Sequence, residues 1–350
     1  MTAEGFDVAI VPDFTRRATV FEARTLFFLA AWAENAGASR GFPLHIACIG
    51  EPPLSVLYEA ERCGAAISVH EPVGIGSVMS NKFRAFEANL QTDHLALLDV
   101  DILVLDDISG LAQFAGSVAA QPIGKPPLRM RDWRAVYKIV GLDVPTERIS
   151  SMLGDLLDPA LEHLRAPEQN RKLREMVPMF HGGVVFTPLD VGLRQAWEDA
   201  YRAVSENFLP EDSSWNWVRK NDEVPLAIAV EKLKGRGVAF ARLPDMYHAQ
   251  WPHMWGRYHW GDPKLFHLMG FLRQVEDTSS PHTLAQQIRE YCKANRDRHL
   301  EGDNRFKRVV QQDPESFIGF TNELETELLN LLDARVAPAL EKAAAAPRVL

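Results

Sequence analysis

His94-Leu-Ala-Leu-Leu-Asp-Val-Asp-Ile-Leu-Val-Leu105 is a strongly apolar run with two aspartates, Asp99 and Asp101, at its centre. A run of this length and composition reads as one strand buried on both faces. Three apolar runs precede it: Asp7 to Val11, Leu44 to Ile49 and Ala65 to Val69. Between them lie stretches with helical spacing: Thr19 to Ala36, stopped by Gly37, then Pro53 to Cys63 and Ser77 to Asn89. Near-continuous apolar strands separated by helices predict an α/β fold, a mostly parallel sheet flanked by helices. A further strand is expected at Met179 to Phe186. In such sheets ligands bind beyond the carboxyl ends of the strands, which directs the search to the strand exits.

The aspartates carry the chemistry. Two carboxylates inside an apolar run are costly unless they are paired or hold a cation. At i and i+2 of a strand they point to one side, and hard oxygen donors suit Mn²⁺ or Mg²⁺. The alternative is a strand that ends at Leu98, with both acids capping a solvated turn. Upstream, Lys82 stands at the start of a helical segment, where a cation and the helix N-terminus can share a diphosphate. Read alone it is more often a solvated surface lysine. Downstream runs His267-Leu-Met-Gly270-Phe-Leu-Arg273. A neutral imidazole is a suitable third metal ligand, Gly270 permits close backbone approach, and Arg273 can contact phosphate oxygens. His267 by itself also reads as an ordinary packed histidine.

Other chemistries are disfavoured. With 38 Lys+Arg against 47 Asp+Glu the net charge is −9, which argues against a general nucleic-acid binder. Gly37-Ala-Ser-Arg-Gly41 matches the serine-hydrolase GxSxG, yet runs from a helix end toward a strand, the wrong context. Gly74-Ile-Gly76 lacks a third glycine, and no phosphate-binding GxxxxGK[ST] occurs. His248, His253, His259 and His267 cluster without a zinc spacing. Cys48, Cys63 and Cys292 are odd in number and dispersed, which predicts reduced, mostly buried thiols. No signal-like N-terminus and no apolar window of spanning length is seen, so a cytoplasmic location is expected.

The ordered set of helix lysine, DxD, glycine-bearing strand, polar pair and HxxGxx[KR] resembles the nucleotide-sugar glycosyltransferases of the GT-A fold. It is most similar to glycosyltransferase family 8, the glycogenin and galactosyltransferase-like group. Phe180-His-Gly-Gly-Val-Val185 resembles that family's FNAGV strand, and Asn221-Asp-Glu223 its DQ pair. The resemblance implies a UDP-sugar donor, with Asp99, Asp101 and His267 holding Mn²⁺ (or Mg²⁺) against the diphosphate. It places Lys82, Gly270 and Arg273 on the phosphates, and Val11, Asp13 and Val100 against the nucleoside. Gly182 and Gly183, with His181, would border the donor sugar, and Asp222 and Glu223 would lie near the transferring group. Transfer with retained anomeric configuration is implied as well. The chain departs from the family pattern at His181 for asparagine, Gly182 for alanine and Glu223 for glutamine. Gln274 stands where the family has proline, and the span from Asp101 to His181 is long.

The expected organisation is a catalytic domain over residues 1–275, with a mainly helical insertion at 121–177 and a helical extension over 276–350. Trp215, Trp217, Trp251, Trp255 and Trp260 suit either a glycan-stacking platform or a satellite core. Leu324, Leu328, Leu331 and Leu332 form a helix stripe for packing on the catalytic domain or a second copy of the chain. The acceptor could be a glycan, a lipid or a protein side chain. Two alternatives are a donor- or glycan-binding protein with little turnover, and a sugar-nucleotide nucleotidyltransferase. The latter is disfavoured because Pro12-Asp-Phe-Thr-Arg-Arg17 after the first strand has no glycine.

Overall fold

The computed structural model describes residues 5–124, 128–151, 174–207, 218, 221–250, 262–273, 275, 278, 280–301 and 314–346. Strands β1 (Asp7–Ile10), β2 (Leu44–Ile49), β3 (Ala66–His70) and β4 (His94–Leu98) form where the apolar runs predict them. With β6 (Ser117–Pro122), β7 (Phe180–Pro188) and β8 (Ala239–Arg242) they make a seven-stranded sheet, ordered β3-β2-β1-β4-β7-β6-β8. β2 pairs parallel to β3 and β6 parallel to β8, while β6 and β7 are antiparallel. The expected mixed, mostly parallel α/β architecture is what the chain adopts.

The run from His94 to Leu105 is not one strand. It breaks after Leu98, and β5 (Ile102–Val104) enters a second sheet with β9 (Ala249–Gln250) and β10 (Leu265–His267), ordered β5-β10-β9. Asp99, Val100 and Asp101 form the turn between them, closed by Ile102 N–H donating to the Asp99 carbonyl at 3.0 Å. Apolar periodicity misses this break because the turn is itself shielded, with Val100 buried at its centre. Continuous hydrophobicity reports burial, not hydrogen-bond continuity.

Ser77 to Asn89, expected to be helical, forms a 3₁₀ helix over Val78–Glu87, capped by the Ser77 hydroxyl. A further expectation is corrected. Gln121 and Pro122, expected to open a helical insertion, are sheet residues of β6. The insertion's remaining stretch at 152–173 lies outside the described residues, as do all five clustered tryptophans, His253, His259 and Gln274.

The chain divides into two compact units, each discontinuous in sequence. Unit 1 comprises Met1–Val8, Pro72–Leu97 and Leu111–Asp245; unit 2 comprises Ala9–Glu71, Leu98–Gly110 and Met246–Leu350. In unit 1 a core of Trp133, Val136, Tyr137, Val204, Val224, Ile228 and neighbours is covered by helices. Among the described residues the α-helices, in order, are α1 (Ala18–Asn35), α2 (Leu54–Cys63), α3 (Met130–Ile139), α4 (Leu193–Asn207) and α5 (Glu223–Lys234). They continue with α6 (Pro281–Leu300), α7 (Pro314–Leu331) and α8 (Ala337–Ala345). α7 and α8 are joined by a π turn at Leu332–Val336.

In unit 2, α1 buries Leu26 to Trp32 without interruption, the signature of a central helix. Gly37, two residues past its end, has φ +54°, the left-handed geometry that terminates helices. The leucine stripe of α7 and the π turn, Leu324, Leu328, Leu331 and Leu332, is buried within this unit. Cys48, Cys63 and Cys292 are free thiols, and burial raises each pKa, to about 12, 11 and 12 respectively. Among the described residues no helix is long and apolar enough to cross a membrane.

Candidate functional site

The turn and β10 build the first constellation, wholly within unit 2. β10 pairs antiparallel to β5 with His267 opposite Ile102, and Leu268 N–H donates to the Asp101 carbonyl at 2.8 Å. This register carries the imidazole next to the two acids. One donor atom from each of Asp99, Asp101 and His267 lies within 4.8 Å of the others. His267 Nε2 is 3.2 Å from Asp101 Oδ1 and 4.0 Å from Asp99 Oδ2. Donors about 2.1 Å from an octahedral ion sit about 3.0 Å apart when adjacent and about 4.2 Å apart when opposite. Two oxygens and an imidazole nitrogen at these spacings fit a hard divalent cation.

Sequence reasoning did not find the residues behind this triad. Arg24, on α1, places Nη1 3.1 Å from Asp101 Oδ2, while its Nε donates to the Phe271 carbonyl at 2.8 Å. It thereby ties one metal-type ligand to the loop after β10. Phe271 is fixed in turn by edge-to-face contacts with Phe27 and Tyr291, both at 5.2 Å between centroids. The available signal was the cluster of Glu22, Arg24 and Thr25 in an otherwise apolar helix. Polar groups at such positions need partners, and Glu22 finds Thr278 Oγ1 at 2.6 Å and the Ser55 hydroxyl. On the other side His248, fully buried, places Nε2 3.0 Å from His267 Nδ1, and Gln250 Nε2 lies 3.2 Å from the same His248 atom.

The loop carrying Gly270 and Arg273 follows directly. Gly270 has φ +81°, and a Cβ there would stand 3.3 Å from Arg273 Nε, so the arginine folds back over the glycine. Leu272 also adopts positive φ, +51°, a costly conformation for a branched residue. Val11 and Asp13 follow β1. Asp13 is buried, and its Oδ1 accepts from Thr15 N–H at 3.1 Å and from Thr15 Oγ1 at 2.6 Å, closing a local turn.

A second constellation belongs to unit 1. Lys82 is buried, not solvated: Nζ donates to Asp222 Oδ2 at 2.6 Å and to the Gly182 carbonyl at 2.9 Å. Phe83 anchors this 3₁₀ segment edge-to-face on Trp197 at 5.5 Å and Tyr201 at 6.0 Å, both on α4. The Trp197 indole donates to the Asp222 carbonyl at 3.0 Å, so one helix locates both partners of the ion pair. Gly76, with φ +60°, permits this packing, because a Cβ there would lie 2.7 Å from the Tyr201 ring. Gly182 is equally constrained: a Cβ would lie 2.3 Å from Asp222 Oδ2. Gly183 is buried in β7 beside it.

His181 and Glu223, two of the positions that depart from the family pattern, are partners. His181 Nδ1 lies 2.7 Å from Glu223 Oε1, and Asn221 Nδ2 donates to Glu223 Oε2 at 3.2 Å. Asn221 Oδ1 accepts from the Glu223 and Val224 backbone N–H groups at the start of α5. A substitution in β7 and one at a helix start, 42 residues apart, thus form a single contact.

No protein-family model matches the sequence, and no curated protein matches it. Three solved structures similar to the chain are of glycosyltransferases. The apo form of mouse xyloside xylosyltransferase 1 is 10% identical, with TM-score 0.43 over 78% of this chain and 100% of its own. The galactosyltransferase LgtC, in complex with donor and acceptor sugar analogues, is 12% identical, with TM-score 0.44 over 89% of this chain and 99% of its own. An active-site mutant of LgtC is 10% identical, with TM-score 0.43 over 75% and 86%. Nothing about activity follows from likeness at this level.

Proposed function

We propose that the protein is a metal-dependent glycosyltransferase that moves a sugar from a nucleotide-sugar donor, a UDP-sugar, to an acceptor. The observation that carries this reading is the convergence of Asp99, Asp101 and His267. It stands in a chain whose motifs run in the order of retaining GT-A enzymes. Asp99, Asp101 and His267 would hold Mn²⁺ or Mg²⁺, which when bound neutralises the charge growing on a departing diphosphate. Arg273 and the Gly270 backbone, in the loop after His267, are assigned to the phosphates. Asp13 and its turn are assigned to the nucleoside. Asp222 and Glu223 are assigned to the donor sugar, with Lys82 and His181 fixing their carboxylates and Gly182 and Gly183 giving the sugar access to the strand.

The test is a thermal-shift titration with UDP, with and without Mn²⁺, with ADP and GDP as controls. Ligand at 100 times its Kd stabilises by about 2.7 kcal/mol, a shift of several degrees at roughly 2–4 °C per kcal/mol. A shift requiring both UDP and Mn²⁺ supports the reading; no shift with any nucleotide and metal overturns it.

One observation favours a second reading, a donor-binding protein with little turnover. The Lys82 ammonium is already engaged by Asp222 and the Gly182 carbonyl, which withdraws it from phosphate. Metal-dependent UDP-sugar binding with neither transfer nor hydrolysis would select that reading.

A further inference from the structure

The histidine behind the triad has a role that its hydrogen bonds define. β9 runs parallel to β10 with Gln250 opposite His267, and His248, two residues earlier, shares the face of Gln250. An amide nitrogen has hydrogens to donate and no lone pair to accept with. With Gln250 Nε2 as the donor at 3.2 Å, His248 Nε2 is the accepting nitrogen of that ring. In that tautomer His267 Nδ1, 3.0 Å from the same nitrogen, is the donor. In a neutral ring the other nitrogen is then bare, and His267 Nε2 faces Asp101 Oδ1 at 3.2 Å, lone pair toward lone pair. A cation between the two atoms would be bound by both lone pairs.

We propose that His248, oriented by Gln250, is a positioning residue for the metal ligand His267. It accepts the Nδ1 hydrogen and so presents Nε2 unprotonated toward Asp99 and Asp101. Metal-bound imidazoles generally donate their second N–H to an acceptor, which fixes tautomer and ring plane; here the acceptor is a second imidazole. The stacking of the two rings, 5.1 Å between centroids and 23° between planes, sets the orientation. This inference rests on the metal reading above.

The test measures Mn²⁺ alone, by electron paramagnetic resonance of the free ion, on the full chain. His248→Phe keeps a planar ring and removes the acceptor; His248→Gln keeps an acceptor. The Phe variant is expected to bind Mn²⁺ about 10–100-fold more weakly than wild type, with Gln restoring most of the loss. Equal Mn²⁺ binding by wild type and the Phe variant overturns the inference alone. No Mn²⁺ binding by wild type overturns the metal reading and this inference with it. Should the Phe variant fail to fold, histidine-selective ¹⁵N NMR of the Mg²⁺-loaded wild-type chain decides. A hydrogen on His267 Nδ1 supports the assignment, and one on Nε2 overturns it.

Discussion

The two constellations use similar residue types to opposite ends. In unit 2, His267 stands 3.2 and 4.0 Å from two carboxylates, spacings suited to an ion among three donors. In unit 1, Lys82 meets Asp222 at 2.6 Å and His181 meets Glu223 at 2.7 Å, direct contacts with no room for an ion. An acid within an apolar segment can thus be made tolerable by a cation from solution, by one on the chain itself, or by both, as at Asp101, whose Oδ2 meets Arg24 Nη1 at 3.1 Å while Oδ1 faces His267. The first makes folding and ligand binding share a site. The second preorganises carboxylates so that their orientation is fixed before any ligand arrives.

The sharpest way to break this contrast is to remove one carboxylate from each side. Asp101→Asn keeps shape and the neighbourhood of Arg24 but removes a hard anionic donor. Mn²⁺ binding is expected to fall by more than about 100-fold, beyond the roughly 10–100-fold typical of outer-shell partners. Asp222→Asn should leave the binding of Mn²⁺ alone unchanged. Isothermal calorimetry with metal alone checks both, and equal losses in the two variants would dissolve the distinction.

Next in size is the unit 1 ion pair. Lys82→Met strands the Asp222 carboxylate in a buried site, at a cost of about 3–5 kcal/mol. The midpoint of thermal unfolding should fall on the order of 10 °C. Lys82→Met with Asp222→Leu should recover much of that, because replacing both charges by apolar groups removes the stranded one. A double variant no more stable than the single would mean that packing, not charge, holds this region. A smaller effect is expected from Gly182→Ala. Its Cβ would meet Asp222 Oδ2 at 2.3 Å, and displacing the carboxylate should cost about 1–3 kcal/mol. Gly116→Ala, with nothing within 4 Å, is the near-neutral control in the same denaturation series.

How much of this was legible in the sequence follows from how local each feature is. The first four sheet strands and both early helices appear where apolar periodicity places them, because burial of a segment leaves its mark in that segment alone. The triad was legible as residue types at ordered positions, but its geometry was not. Asp99 and Asp101 converge through a turn rather than along a strand, and the turn's burial hides it from periodicity. Arg24 acts through Asp101 and through Phe271, 247 residues downstream, and His248 and Gln250 act across a strand register, which no local pattern encodes. Lys82 read as a phosphate contact or a solvated lysine, because its burial depends on Asp222 and on the packing of Phe83 against Trp197 and Tyr201, over 100 residues downstream. The pairing of His181 with Glu223 was visible only as two separate departures from one pattern.

The mildest contrast between the units lies at alkaline pH. Burial raises Cys48 and Cys292 of unit 2 from about 9 to about 12, with Glu51 and Glu325 adding to the shift. In unit 1 the corresponding group is Tyr201, raised by burial to about 12 from a higher starting point near 10. A folded thiol that keeps its proton while the unfolded chain loses it contributes stability that is complete below pH 9. That contribution is lost as pH rises from there toward 12, because the unfolded state then binds fewer protons than the native one. The thiols therefore begin to act about one pH unit before the tyrosine. Each fully buried thiol should cost on the order of 1 kcal/mol at pH 10 relative to pH 8. Cys48→Ala with Cys292→Ala should shrink the drop in unfolding midpoint between those two pH values, whereas Tyr201→Phe should scarcely change it. If the tyrosine variant shrinks the drop as much as the double cysteine variant does, alkaline sensitivity belongs to unit 1 and the order argued here is reversed.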